Sequence, residues 1–135
     1  MQQISPTTFP SSKRLDQRGV RAILLKGRRN QGQYFELRQL AKASGEDSLG
    51  ARLAISVPKR LLQLAVQRND VKRLVRETFR VDRVSRLPLD LLVVYRSKVP
   101  PQSASVKNTL RADLGSLFEK VAARNSAGRL NLNST

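Results

Sequence analysis

The chain has 135 residues, with 26 Lys and Arg against 10 Asp and Glu and a formal net charge of +16. It contains no Cys and no His, which excludes disulfides, thiolate zinc sites, cysteine nucleophiles and every base or triad built on imidazole. An excess of this size repels itself in a protein with neutral partners, so nucleic acid or an anionic surface is the expected counterpart.

Residues 1–12, with Pro6, Pro10 and several Ser and Thr, read as a flexible N-terminal segment. This stretch lacks the charged-then-apolar order of a signal peptide, and no apolar run in the chain is long enough for a transmembrane helix. A cytoplasmic protein without a membrane partner is the expectation. Residues about 13–26 are predicted to be helical, with Val20, Ile23 and Leu24 on one side and Gly27 placed to stop the helix, while Gly19 weakens its interior. In QYFELRQL (33–40), Phe35 and Leu37 alternate with Tyr34, Glu36 and Arg38, the pattern of a half-buried strand. The Gly- and Ser-rich ASGEDSLG that follows reads as a loop, and its Glu46 and Asp47 are the only adjacent acids. In RLAISV (52–57), Leu53, Ile55 and Val57 face one way and Arg52, Ala54 and Ser56 the other, before Pro58 ends the strand.

Residues 65–80, AVQRNDVKRLVRETFR, carry the strongest pattern. At 100° per residue Leu64, Val71, Leu74, Val75, Thr78 and Phe79 share one helical face, and Asn69, Lys72, Arg73, Arg76, Arg80 and Arg83 gather on another. Lys72, Arg76 and Arg80 follow one another at i, i+4, and each like-charge pair disfavours a helix by roughly 0.2–0.5 kcal/mol. Arg73 has Glu77 four residues on, and Asp70 falls with Glu77 on a separate edge; the rest of the stripe has no acidic neighbour at helical spacing. Cations without counter-charges fit a polyanion, whose phosphates replace the missing carboxylates and release condensed counterions. A solvated charged face is the bland alternative, and the charge of the whole chain weighs against it.

LPLDLLVVYR (87–96) is a nearly continuous apolar run, suited to a strand buried on both faces and closing a β-α-β unit. A last helix, about 103–123, places Val106, Leu110, Leu114, Leu117 and Val121 along one stripe, and 124–135 reads as a flexible polar tail. The expectation is a single domain over 13–123 with an α+β fold: a two-layer sandwich of a central mixed sheet of about four strands and three helices. Asp90 and Asp113 show no spacing that suggests a site. No catalytic residue and no metal site is expected in the chain.

The order R-L-x-I-S-V-x-K-R from Arg52, then A-V-x-R-N-x-x-K-R-x-x-R-E-x-F-R from Ala65, then an apolar strand ending near Arg96, resembles the protein component of bacterial ribonuclease P. The similarity runs from about Arg14 to about Val121, and its specific part is Arg52 to Arg80. The resemblance implies a ribosomal-protein-like fold whose β-α-β crossover is left-handed, against the general rule. It further implies a ribonucleoprotein that removes the 5′ leader of precursor tRNA, with Mg²⁺-dependent catalysis carried by the RNA subunit, and one inactive protein monomer per RNA. In that family the Arg-Asn helix lies against the catalytic RNA. This carries RNA binding to Arg68, Asn69, Lys72, Arg73, Arg76 and Arg80, with Lys59 and Arg60 extending the positive surface. A cleft for the single-stranded leader falls on Val20, Leu24, Arg38, Arg52 and Ser56.

The chain departs from the family pattern in two respects. The usual Arg-Asn-Arg ends here in Asp70, and the cleft positions that are commonly aromatic are Val20, Leu24 and Arg38. Stacking on an aromatic ring is worth roughly 1–3 kcal/mol per base. Leader grip is therefore expected to rest more on charge and aliphatic contact. Arg68 suits either a backbone hydrogen bond near the end of the 52–57 strand or an RNA contact, and Asn69 either a local cap or an RNA contact. The competing function is a basic structural RNA-binding protein of ribosomal type, with the same charge, size and fold class; the spacing from Arg68 to Glu77 separates the two. A stand-alone nuclease is disfavoured by the absent His and scattered acids.

Overall fold

The computed structural model describes residues 14–42 and 50–134. The segment 1–12 and the Glu46–Asp47 pair lie outside the described residues. Helix α1 (Gln17–Lys26) starts where the Asp16 side chain accepts a hydrogen bond from the Gly19 N–H at 2.9 Å, later than the expected start at about 13. Arg14 and Leu15 are instead drawn to strand β3 (Arg52–Ser56), where the Leu15 N–H donates to the Leu53 carbonyl at 3.0 Å. Gly27 ends α1 as expected. A Cβ there would stand 2.5 Å from the Ile23 carbonyl oxygen and 3.0 Å from that of Gln39, so glycine lets the helix end press on strand β2 (Phe35–Ala41).

Strand β1 (Arg28–Gln31) pairs antiparallel with β2. Its sequence, RRNQ, has no apolar alternation and was not expected as a strand. Buried Asn30 anchors it, donating to the Leu37 carbonyl at 3.3 Å and accepting from Arg124 Nη1 at 2.9 Å. Strand β4 (Leu89–Tyr95) lies between β2, antiparallel, and β3, parallel, giving the sheet order β1-β2-β4-β3. Helix α2 (Ala65–Val81) and a 3₁₀ turn (Arg83–Arg86) make the crossover from β3 to β4. All of β4 is buried, as its apolar run predicts. Helix α3 (Ala104–Ser134) runs past its expected end at 123 and through the segment read as a tail; Arg124, bonded to Asn30, ties the helix to β1 just beyond that point.

Successive residues of β4 serve opposite faces. Leu89, Leu91, Val93 and Tyr95 join Phe35, Leu37 and Leu53 beneath Val71, Leu74, Val75 and Phe79 of α2 and the apolar stripe of α3. Leu92 and Val94, with Leu40 and Ala54, pack beneath Leu15, Val20 and Ile23. The expected two-layer sandwich is thus extended, since α1 covers the second face of the sheet. Each fully buried Leu, Val or Phe contributes roughly 1.5–3 kcal/mol relative to exposure, so the larger cluster decides which face of α2 turns outward. Leu64 does not belong to that face as expected: it caps the helix ahead of its first turn and is 58% exposed. Thr78 is half-buried and donates its hydroxyl to the Leu74 carbonyl at 2.8 Å.

Candidate RNA interface

With Val71, Leu74, Val75 and Phe79 in the core, Lys72 and Arg76 are turned toward the outer edge of β3, while Arg73 and Arg80 are exposed. Lys72 and Arg76 meet Arg14 around a groove of about 320 Å³ whose walls are Leu15, Leu53, Ala54 and Ile55. Arg14 is held there by its bridge to Leu53. Burial pushes the Arg76 guanidinium below its ordinary pKa, and the charges of Arg14 and Arg73 push in the same direction. Among the described residues no carboxylate stands within ion-pairing distance of Lys72, Arg73, Arg76 or Arg80. Glu77 thus fails to pair with Arg73 despite its spacing. Arg83 leaves the stripe altogether: it lies beyond the end of α2 and pairs with Glu119 at 2.7 Å. Three crowded cations over an aliphatic wall can take the phosphates of a nucleic-acid backbone, contacts that position RNA without reading its sequence.

The other predicted positions lie at the start of α2 and on the turn before it. Arg68 Nη1 donates to the carbonyls of Leu62 and Gln63 at 2.9 and 2.8 Å, a backbone contact that fixes the turn entering α2 rather than the end of the 52–57 strand. Asn69 is exposed and Asp70 half-buried. Lys59 and Arg60 stand exposed on the turn after Pro58. None of these lines the groove.

The candidate cleft residues belong to the opposite face of the sheet. Arg38, Arg52 and Ser56 have the strand parity of Leu40 and Ala54, which pack under α1, and Val20 packs there too; Leu24 is 53% exposed. Arg52 and Ser56 are not brought together, since four residues of β3 separate them by about 13 Å and Ala54 lies between. Arg52 makes a two-point ion pair with Asp90, Nε to Oδ1 and Nη2 to Oδ2, both at 2.9 Å. Arg38 Nε donates to Glu36 Oε2 at 2.6 Å, and Glu36 Oε1 accepts from Arg96 Nη2 at 3.2 Å with Arg29 Nε at 3.8 Å. Glu36, expected on the polar side of its strand, is 2% exposed because three arginines close over it. Burial alone would raise its pKa; the hydrogen bonds and charges of Arg38 and Arg96 together outweigh burial and hold the carboxyl below its ordinary range.

Sequence reasoning missed Arg14, Arg29 and Arg96. The signal for the last two was Glu36 itself, an acid on a strand of a chain poor in acids. Among the described residues no three carboxylates, histidines or cysteines converge. Asp90 and Glu36 are engaged by arginines, and Asp113 accepts from the backbone N–H groups of Gln33, Tyr34 and Phe35. These three carboxylates, so engaged, do not fit a Mg²⁺ site.

Among the described residues no helix is long and apolar enough to cross a membrane. The sequence matches the Ribonuclease P family over residues 9–122. It is 35% identical over 118 residues to the ribonuclease P protein component of Bordetella parapertussis, covering 85% of this chain and 96% of that relative. The counterpart from Desulforapulum autotrophicum is 35% identical over 117 residues, covering 84% and 92%. The solved ribonuclease P protein of Thermotoga maritima matches with a TM-score of 0.63 at 28% identity, over 79% of this chain and 96% of its own. That of Staphylococcus aureus matches with a TM-score of 0.62 at 29% identity, over 76% and 92%. With sequence and fold agreeing along almost the whole domain, the chain belongs to the ribonuclease P protein family.

Proposed function

We propose that this chain serves ribonuclease P by placement, while the RNA subunit performs the cleavage. As a ribonuclease P protein component it is a subunit of an endoribonuclease and a partner of ribonuclease P RNA. The observation that carries the rest is the groove where Arg14, Lys72 and Arg76 crowd together with no ion-pairing carboxylate among the described residues. In this reading α2 and its groove dock on the backbone of the catalytic RNA, and each phosphate neutralised adds about one unit to the salt dependence of binding. The α1 face of the sheet holds the single-stranded 5′ leader of precursor tRNA. Mg²⁺ stays on the RNA, where it supplies the activated water and the charge neutralisation that hydrolysis of a phosphodiester needs. The protein works as a monomer with one RNA, in the cytoplasm, and is inactive alone.

The test is reconstitution at low Mg²⁺. Precursor tRNA is incubated with ribonuclease P RNA alone, with the protein alone, and with both, and release of the leader is followed. Cleavage by the pair well above that by the RNA supports the reading. Cleavage by the protein alone, or no stimulation of the RNA, overturns it.

A further inference from the structure

The groove beside α2 has walls that phosphate contacts alone leave unused. Leu53 and Ile55 belong to the larger core and Leu15 and Ala54 to the smaller one, so the groove follows the outer edge of β3, where the sheet ends, and lies over neither face. On that edge Leu53 spends its carbonyl by accepting from the Leu15 N–H at 3.0 Å. Ile55, two residues on, presents its N–H and C=O to the same side, because alternate residues of a strand bond to alternate neighbours; no described residue outside the sheet bonds to either group. Lys72 and Arg76 are half-buried and Arg14 is exposed, so the cations stand in the wall and on the rim.

A duplex turns its phosphates outward and keeps its bases inside, so it would satisfy the cations and leave the aliphatic wall and the Ile55 backbone groups without partners. An unpaired nucleotide matches all three parts. Its phosphate meets the cations, the face of its base lies on Leu53 and Ile55, and the donor and acceptor on the base edge meet the N–H and C=O of Ile55. Bulges and loops of RNA offer such unstacked bases. The volume of about 320 Å³ is at the lower end of the roughly 300–1,000 Å³ of small-ligand sites, the scale of one nucleotide and not of a helix. We infer that the groove at the edge of β3 receives a single extruded nucleotide of ribonuclease P RNA, with Arg14, Lys72 and Arg76 on its phosphates and Ile55 against its base. The inference rests on the reading of this groove as the docking site for the catalytic RNA and names what that RNA inserts.

The experiment uses the full chain and ribonuclease P RNA. Because the chain has no Cys, Ile55→Cys gives one attachment point for a photocrosslinker in the assembled complex. Crosslinks should fall on one unpaired nucleotide of the RNA subunit; crosslinks to base-paired nucleotides, or only to precursor tRNA, overturn the inference. Removing the base of that nucleotide while keeping its phosphate should weaken binding of the unaltered protein by roughly five- to a hundredfold, as expected for one well-held base. The slope of log affinity against log salt should stay unchanged, since no phosphate contact is lost. Ile55→Ala should weaken binding by roughly three- to tenfold, again at constant slope, and should add little to the loss on the abasic RNA. Full affinity of the unaltered protein for the abasic RNA overturns the inference, as does a fully additive loss in the double change. If Lys72→Ala and Arg76→Ala leave the slope where it was, the docking reading fails and this inference with it. If they lower the slope while the abasic RNA binds normally, the inference alone falls.

Discussion

Arg52 and Asp90 face each other across the parallel strands β3 and β4 and share two hydrogen bonds of 2.9 Å. Asp90 is 6% exposed, so its carboxylate has little water around it and takes its charge-assisted hydrogen bonds from Arg52. Arg52→Ala should lower the free energy of unfolding in urea by about 2–4 kcal/mol, the cost of leaving a buried carboxylate without its partner. An arginine that only touched the leader would change stability by about 0.5 kcal/mol or less.

Glu36 makes stability depend on pH in a defined direction. Its folded pKa is depressed, so the ionised form favours the fold; the stabilisation is complete above the ordinary glutamate pKa of about 4.3 and is lost as pH falls through the lower folded value. Wild type should exceed Glu36→Gln in stability at neutral pH, and the gap should shrink below about pH 4.3. Denaturant titrations of both proteins from pH 7 to 3 test this. A gap that stays constant over that range would show that the ion cluster does not couple to folding.

Lys72→Ala and Arg76→Ala should each weaken binding to ribonuclease P RNA and reduce the slope of log affinity against log salt by about one unit, with the fold intact. Arg14→Ala should do the same, because it lines the same groove. An unchanged slope in all three would mean that the groove is merely solvated.

Arg68 and Asp113 hold backbone, each at a turn. Arg68→Ala removes two hydrogen bonds to the carbonyls of Leu62 and Gln63, and Asp113→Ala strands three N–H groups of the β1–β2 turn. Each should cost about 1–3 kcal/mol of stability in urea denaturation. The salt slope of RNA binding should not move in Asp113→Ala.

What could be read from the sequence follows the range of the interaction. Helix α2 was legible because its core residues Val71, Leu74, Val75 and Phe79 recur at the helical period, and β4 because it is apolar on both faces. Strand β1 was not, since RRNQ is held by its ladder and by Asn30, which bonds Leu37 on the paired strand and Arg124, 94 residues along the chain. The cationic stripe was legible from Lys72 and Arg76, but the third member of the groove was hidden: Arg14 arrives through a single bridge to Leu53. For the same reason the sequence showed Arg38 and Arg52 as free cleft cations, when the register of the sheet sets Arg52 beside Asp90 and folding buries Glu36 beneath Arg38.

The division of labour between protein and RNA is tested most directly by single-turnover cleavage of precursor tRNA by ribonuclease P RNA, titrated with Mg²⁺ in the presence and absence of the protein. Placement by the protein predicts that the Mg²⁺ requirement falls when the protein is added, that Lys72→Ala and Arg76→Ala return it toward the RNA-only value, and that protein without RNA cleaves nothing at any Mg²⁺. An identical Mg²⁺ requirement with and without the protein, or leader release by the protein alone, would contradict the account.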